Sequence, residues 1–305
     1  MRLKTKNNLS AGIVLRVIIY VILTLVALVT LFPVIYSICG AFKDTQELMT
    51  SGKMLPEHFN FENYTYVWSK VNFARYTMNS LIVTGATVVI RILTVTITAY
   101  VFSRRSFAGK KIIHTAFLVS MFINAGAATI YPIYKLIVDM GMNKSYLGLI
   151  FANCGLPVAL IILGEGYLKG IPTTFDEAAK IDGCSFTRIF RQIIFPMMRP
   201  FVAVVALLTF RDVWNAYLLP MIITFGPELF VYVSICDNRD LTVGQRKLQL
   251  LSVAIVELRA GGGGMATMWS RILAAVNISI VPIIMVYIIC NKQFVNGLIA
   301  GGIKE

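Results

Sequence analysis

Long apolar runs separated by short polar stretches are the first pattern along this chain. A helix that crosses a bilayer needs roughly 20 mainly apolar residues. Six runs reach that length, at about 14–38, 77–102, 112–136, 146–168, 198–223 and 272–291. Each predicts a spanning helix. Pro33 falls inside the first run and predicts a kink, because proline removes a donor and clashes with the preceding turn. Pro200 falls in the first turn of the fifth, where a missing N–H costs nothing. Polar residues and glycines interrupt the third and fourth runs. The basic start MRLKTKNNLS followed by apolar residues 11–39 has the order of a signal peptide, but the run is too long and reads as an uncleaved first span.

Composition agrees with the pattern. Of 305 residues, 57% are hydrophobic and 14% charged, and the mean hydropathy is +0.74. Soluble domains carry nearly twice that charge. The net charge of +13 is spread among the apolar runs rather than gathered in one patch, so sidedness in a membrane explains it better than nucleic acid. With the N-terminus inside, segments 1–16, 103–111, 169–199 and 291–305 hold 15 Lys/Arg against 4 Asp/Glu. The opposite segments 39–75, 134–145 and 223–271 are longer and hold 11 against 9. The prediction is an all-α integral membrane protein of six spans with both termini cytoplasmic. It forms one domain over 1–305 with its core at 75–292 and a long outer loop at 223–271. Within that loop the first part reads as a short amphipathic helix, and glycines 261–264 as a hinge. Trp68, Trp269, Tyr64 and Tyr66 fall near outer boundaries and suit an aromatic belt.

Several chemistries lack their residues. The five cysteines form no CxxC pair. His58 and His114 have no partner at metal-ligand spacing, and neither HExxH nor GxSxG occurs. A phosphate loop needs GxxxxGK and then Ser or Thr. Gly109-Lys110 has Arg104 where that glycine belongs and is followed by Lys111. No catalytic residue, metal or cofactor is expected in the chain, and ATP, if used, is bound elsewhere.

The most charged stretch between runs is FDEAAKIDGCSFTRIFRQIIFP, residues 175–196, on the inner side. Thr174 and Glu177 have the spacing of a capping box, and Asp176 and Glu177 suit the positive end of a helix. Asp182-Gly183 breaks that helix. A second helix carries Phe186, Ile189, Phe190 and Ile193 on one face, and Pro196 marks its end. The residues alone leave two readings open: an interfacial anchor lying on the membrane, or a knob on which a partner docks.

The stretch EAAKIDGCSFTRIFRQIIFP resembles the EAA loop of binding-protein-dependent ABC importer permeases, pattern EAAxxDGxxxxxxFxxIxxP, with Phe195 where leucine is usual. MNSLIVTGATVVI, AYVFSRRSFAGKK, VWNAYLLPMI and FVNGLIAGGIKE resemble the carbohydrate branch, relatives of the second permease of maltose-type systems. The resemblance covers most of the chain except a longer 228–268 loop. It implies the type I importer permease fold, with 172–196 as a cytoplasmic coupling loop. Glu177, Ala178, Ala179, Asp182, Gly183 and Pro196 would then form or bound the surface seated on an ATPase, with Glu177 pairing a basic residue there. The implied partners are a second permease in a heterodimer, two ATPase subunits that hold ATP–Mg, and an extracytoplasmic solute-binding protein. The implied location is the cell membrane, crossed several times.

Charges inside the runs raise a separate question, since intramembrane charge is costly and usually faces a partner or a water-filled cavity. Arg91 lies midway along the second run, Arg211 and Asp212 lie within the fifth, and Glu165 lies toward the inner end of the fourth. Asp212 and Asn215 share a helix face, with Trp214 and Tyr217 beside it. Small or apolar residues are general in the resembled branch where Arg211-Asp212 stands. Either Arg91, Asp212, Trp214 and Asn215 line a translocation path, or Arg211 and Asp212 form a structural pair. Three rivals to a sugar importer remain at this level: a proton-coupled transporter using Asp212 or Glu165, an importer permease for a non-sugar solute, and a membrane scaffold.

Overall fold

The computed structural model describes residues 4–70, 73–123, 126–143, 145–225, 250–260 and 269–302. Most of the 228–268 loop, including glycines 261–264, lies outside the described residues. Every regular element among the described residues is helical. In chain order they are α1 (Lys4–Ala41), α2 (Thr45–Thr50), α3 (Glu62–Lys70), α4 (Phe73–Arg104), α5 (Lys110–Phe122), α6 (Ile130–Asp139), α7 (Tyr146–Asn153) and α8 (Val158–Lys169). They continue with α9 (Thr174–Ile181), α10 (Phe186–Met197), α11 (Arg199–Trp214), α12 (Leu218–Phe225), α13 (Leu251–Ala260) and α14 (Trp269–Gly302).

The chain divides into two compact units, Met1–Val71 with Gly264–Ile278, and Asn72–Gly263 with Ser279–Glu305. In the first unit α1 is apolar around its whole circumference and its side chains from Leu15 to Ile35 are exposed, as suits a helix facing lipid. Pro33 sits within this unbroken helix. Below it, the Phe42 ring contacts those of Phe59, Phe61 and Tyr64. Lys43 is buried, donates to the Lys53 carbonyl and faces Glu47. Asn277 on α14 donates to the Ser37 carbonyl at 3.1 Å. The Arg271 guanidinium lies 3.7 Å above the Tyr66 ring. Tyr64 and Tyr66 thus pack within this unit, whereas Trp68 is exposed.

The second unit is organised on α4. One core cluster joins Val95, Ala99 and Tyr100 of α4 to Ile161 and Leu168 of α8, Ala179 of α9, Ile189 and Ile194 of α10, and Phe201 and Val205 of α11. A second joins Val83 of α4 to Ile137, Leu149, Val213, Met221 and Val253 on α6, α7, α11, α12 and α13. At Gly164 the helices touch closely: a Cβ there would lie 2.9 Å from Ala99 Cβ and 2.8 Å from Phe201 Cζ. Small residues at such crossings let helix backbones approach in lipid, where dispersion rather than water drives packing.

The spans depart from the runs in a consistent way. The helices at Leu15–Ala41, Phe73–Arg104 and Trp269–Gln293 are long and apolar enough to cross a membrane as single rods. The fourth run is a bent pair, α7 and α8 at 57°, broken where Gly155 and Pro157 stand. The third run is not one helix. It stops at Phe122 and resumes at Ile130 after a 3₁₀ turn at Gly126–Thr129, where Gly126 has φ 50°. The fifth run stops at Trp214 and resumes at Leu218. Pro200 does lie in the first turn of α11.

Gly164→Val should overpack the α4–α8–α11 crossing and cost on the order of 1–3 kcal/mol. Gly85→Ala, with nothing within 4 Å of its added Cβ, should stay near wild type. Thermal melts of the detergent-solubilised protein followed by size-exclusion chromatography check the contrast, and equal midpoints would contradict it.

Candidate functional site

The loop between α8 and α11 is built from α9 and α10. Helix α9 starts at Thr174 after Thr173, which makes no side-chain cap. The expected capping box is therefore not formed. Glu177 N–H donates to the Thr173 carbonyl, placing Glu177 at the fourth helical position and Asp176 at the third. Asp176 is turned inward instead of reaching back to the cap. At the other end Gly183 has φ 76°, Cys184 N–H donates to the Ala179 carbonyl at 2.9 Å, and Gly183 N–H donates to that of Lys180 at 3.0 Å. This paired closure needs a left-handed residue, and glycine takes that conformation without strain.

Two faces of α9 differ sharply. Asp176 and Ala179 are buried within the unit. Phe175, Glu177, Ala178, Ile181 and Asp182 are exposed, with Ile181 at 87%. The EAA alanines are thus split: Ala178 faces out, and Ala179 packs in the core beneath the helix.

The buried side is held by the last turns of α4. Tyr100 Oη donates to Asp176 Oδ1 at 2.8 Å. Arg104 Nε stands 3.1 Å from Asp176 Oδ2, and Arg104 Nη2 donates to the Ile171 carbonyl at 2.6 Å. The Tyr100 ring stacks on Phe186 at 4.6 Å and on Phe190 at 5.2 Å, and Arg105 covers Phe186 at 4.2 Å. The expected apolar face of α10 is present: Ile189 is buried, and Phe186, Phe190 and Ile193 pack against the same core.

Pro196 does not end α10, contrary to its expected role. The helix opens into a π turn at Phe190–Ile194, with Phe195 N–H donating to the Phe190 carbonyl five residues back, and continues through Pro196 to Met197. The wider turn relieves the clash and missing donor that proline imposes. The chain then bends by 78° at Met198 into α11.

The charged span residues fall into two kinds. Glu165 is buried: His114 Nε2 lies 2.8 Å from its Oε2, and Lys169 Nζ is 2.9 Å from its Oε1. Asp212 is exposed and pairs with its neighbour Arg211 at 2.8 Å. Arg91 Nε donates to the Asn153 carbonyl at 2.9 Å, and its guanidinium lies within electrostatic reach of the Asp212 carboxylate. Asn215 Nδ2 donates to the Arg211 carbonyl at 2.9 Å. Asp212 and Asn215 thus lie one turn apart at the end of α11, and Arg91 of α4 is held by α7 within electrostatic reach of Asp212. Trp214 is not part of that group. It is buried, stacks on Phe210 at 5.2 Å, and donates from Nε1 to the Ser279 carbonyl at 3.1 Å. Tyr217 packs against the second core cluster.

Four residues gained roles that their positions in the sequence concealed. Tyr100 read as part of an apolar run, Arg104 and Lys169 as inside charges, and His114 as a histidine without a partner at metal-ligand spacing. The available signal was the pair of buried-side acids, which need cations within reach.

Comparison with known proteins adds relatives over nearly the whole chain. No family model matches. The galactooligosaccharides transport system permease protein of Bacillus subtilis is 31% identical, covering 93% of this chain and 94% of that protein. A probable starch degradation products transport system permease protein of Thermoanaerobacterium thermosulfurigenes is 30% identical over 92% and 93%. The diacetylchitobiose uptake system permease protein of Streptomyces coelicolor is 27% identical over 94% and 86%. Among solved structures, a bacterial ABC transporter involved in the import of the acidic polysaccharide alginate superposes with a TM-score of 0.74. It covers 93% of this chain and 98% of its own at 22% identity, a likeness of fold.

Trp214→Ala should cost about 3–5 kcal/mol, as truncating a buried aromatic does. Asp212→Asn removes an exposed pair and should stay within ~1 kcal/mol. Thermal midpoints in detergent rank the two. The opposite ranking would put Asp212 in the packing and Trp214 outside it.

Proposed function

This chain belongs to the sugar ABC transporter permeases, and from that premise we propose that it is one transmembrane subunit of an ATP-driven importer for an oligosaccharide or related carbohydrate. The relatives are named for diacetylchitobiose, starch degradation products and galactooligosaccharides, which supports that class. The subunit works in the cell membrane beside a second, different permease, with two ATPase subunits and an extracytoplasmic solute-binding protein. It carries out no hydrolysis; ATP–Mg sits on the ATPases. Six crossings follow if the bent α7–α8 pair, the broken 110–139 segment, and α11 with α12 each count as one span, with both termini and the 172–196 loop in the cytoplasm.

The observation that carries this reading is the outward face of α9. Exposed Phe175 and Ile181 flank Glu177, Ala178 and Asp182 on a short helix whose other side is fixed to the protein. Large apolar side chains around a small residue and an acid suit a protein cleft with a basic residue in it. In this arrangement Glu177 pairs with that residue and Ala178 allows close approach. Gly183 and Asp182 close the helix. Ala179 and Pro196 shape the loop from within. Closure of the ATPase pair on ATP then pushes on α9, and the spans change between outward- and inward-facing arrangements. Arg91, Asp212 and Asn215 line the path taken by the sugar, with hydrogen-bonding groups matched to hydroxyls. Trp214 supports that wall from behind.

A tagged chain purified in mild detergent from its own membranes should bring down an ATPase and a second permease. Glu177→Arg should retain the permease and lose most of the ATPase, at least tenfold by quantitative mass spectrometry for a pair contributing about 1.4 kcal/mol. Undiminished ATPase in the variant would remove Glu177 from the contact. Wild type arriving without any ATPase would remove the docking role from the loop.

A further inference from the structure

Attachment of the loop to α4 is denser than a covering helix requires. Within six residues, Tyr100 to Arg105, α4 holds three successive parts of the 171–190 segment. Arg104 binds the Ile171 carbonyl at the entry, Tyr100 and Arg104 bind Asp176 in α9, and Tyr100 and Arg105 pack on Phe186 in α10. Asp176 is only 4% exposed. A carboxylate so buried cannot leave one partner without remaining as an uncompensated charge, which makes separation far more costly than sliding apolar side chains. Arg104 Nε and Asp176 Oδ2 face each other as an ion pair without aligned hydrogen-bond geometry, so charge rather than direction holds that side. By contrast, the exit from the loop is a place where the backbone gives: the π turn at Phe190–Ile194 and the 78° bend at Met198.

We propose that Asp176, Tyr100 and Arg104 form a rigid joint, so that the coupling loop and the inner end of α4 move as one body while α11 follows through the Met198 bend. The proposal rests on the docking role given above to α9, and it assigns to these three residues a positioning part in the transport cycle. They touch neither sugar nor ATPase. Asp176 lies under α9, and its work is to forbid the loop from swinging independently when the ATPase pushes on Glu177 and Ala178. Force then enters α4 directly. Because α4 runs unbroken from Phe73 to Arg104, displacement at its inner end is delivered along the helix to Arg91. These residues lie thirteen positions apart, or ~20 Å at 1.5 Å per residue.

The test uses the purified importer complex with native cysteines replaced and spin labels placed at Lys180→Cys and Leu93→Cys, both exposed positions and neither among the docking residues named above. Distances between labels are measured without nucleotide and after trapping with ATP and vanadate. In wild type the distance should change by less than about 2 Å, the scale of packed-helix adjustment. In Asp176→Asn it should broaden and change by more than about 5 Å, the scale of a detached element, while ATP hydrolysis persists. Tyr100→Phe keeps the ring stack and removes only the hydroxyl, so it provides a folded intermediate case with partial broadening. A change above ~5 Å in wild type overturns the joint and leaves docking intact. Wild-type distances in both variants also overturn it. An ATPase that stays bound to Glu177→Arg as firmly as to wild type overturns docking at α9 and the joint with it.

Discussion

Hydrocarbon offers a helix no partner for an unmet peptide group or charge, and it is as apolar as the leucines it surrounds. Burying one apolar face against another therefore gains less than in water. What selects one arrangement of spans over others is how closely backbones can approach and which polar groups must find each other. The second unit of this protein follows that constraint throughout. Its α4, α8 and α11 approach closely at Gly164, where no side chain fits between Ala99 and Phe201. Its polar contacts are few, and most of them lead to one helix.

That helix is α4. Near its start Asn79 accepts from Tyr146 Oη and Ser80 Oγ accepts from the backbone N–H of Leu251, each at 2.8 Å. Midway, Arg91 holds the Asn153 carbonyl at the end of α7, where a broken span exposes backbone that a continuous helix would have satisfied. At its end, Tyr100 and Arg104 hold the loop. The break after α7 is thus met by a side chain of the unbroken α4, whereas Ser252 of α13 meets the Ala216 carbonyl at the break after α11. The same arrangement explains why Asn79, Ser80, Arg91, Tyr100 and Arg104 stand in an otherwise apolar run: they tie α4 to α7, α13 and the 171–190 segment, while Thr77, Thr87, Thr94 and Thr96 bond carbonyls of α4 itself.

How legible this was depended on the physical quantity each feature obeys. Residues 73–104 read correctly as a span because a long apolar run in lipid has one common solution. Interruptions in the third and fourth runs were visible, but not that the helices stop there, and the break at 215–217 did not show, since hydropathy counts apolar atoms and is blind to backbone direction. Gly126 and Pro157 were visible, but many spans carry such residues without breaking, as α1 does at Pro33. In the loop, the helix, its glycine stop and the apolar face of α10 followed from local chemistry. Which of two adjacent acids turns inward did not, because neighbours on a helix point about 100° apart and only the cations of α4 decide between them. Trp214 was misplaced by the same geometry. It stands two positions from Asp212, and residues two apart do not share a face.

The acids of this chain divide by what surrounds them, and the division bears on how it works. Glu165 and Asp176 are each enclosed and each met by two partners, so their charge is already committed to holding helices together. Such groups suit fixed geometry better than a proton carrier that must be alternately bared and covered. Asp212 is different. Its Arg211 partner is its own neighbour, and both are exposed among the described residues. An exposed pair within a span needs water, a solute or another subunit opposite it, which is the position expected of a wall shared between two permease chains. Arg91 joins this exposed group to α4, and the buried Asp176 joins α4 to the loop. One unbroken helix therefore carries Arg91 near its middle and the clasped 171–190 segment at its end; under the docking proposed for α9, a push on that segment would reach Arg91 without a break in the helix between them.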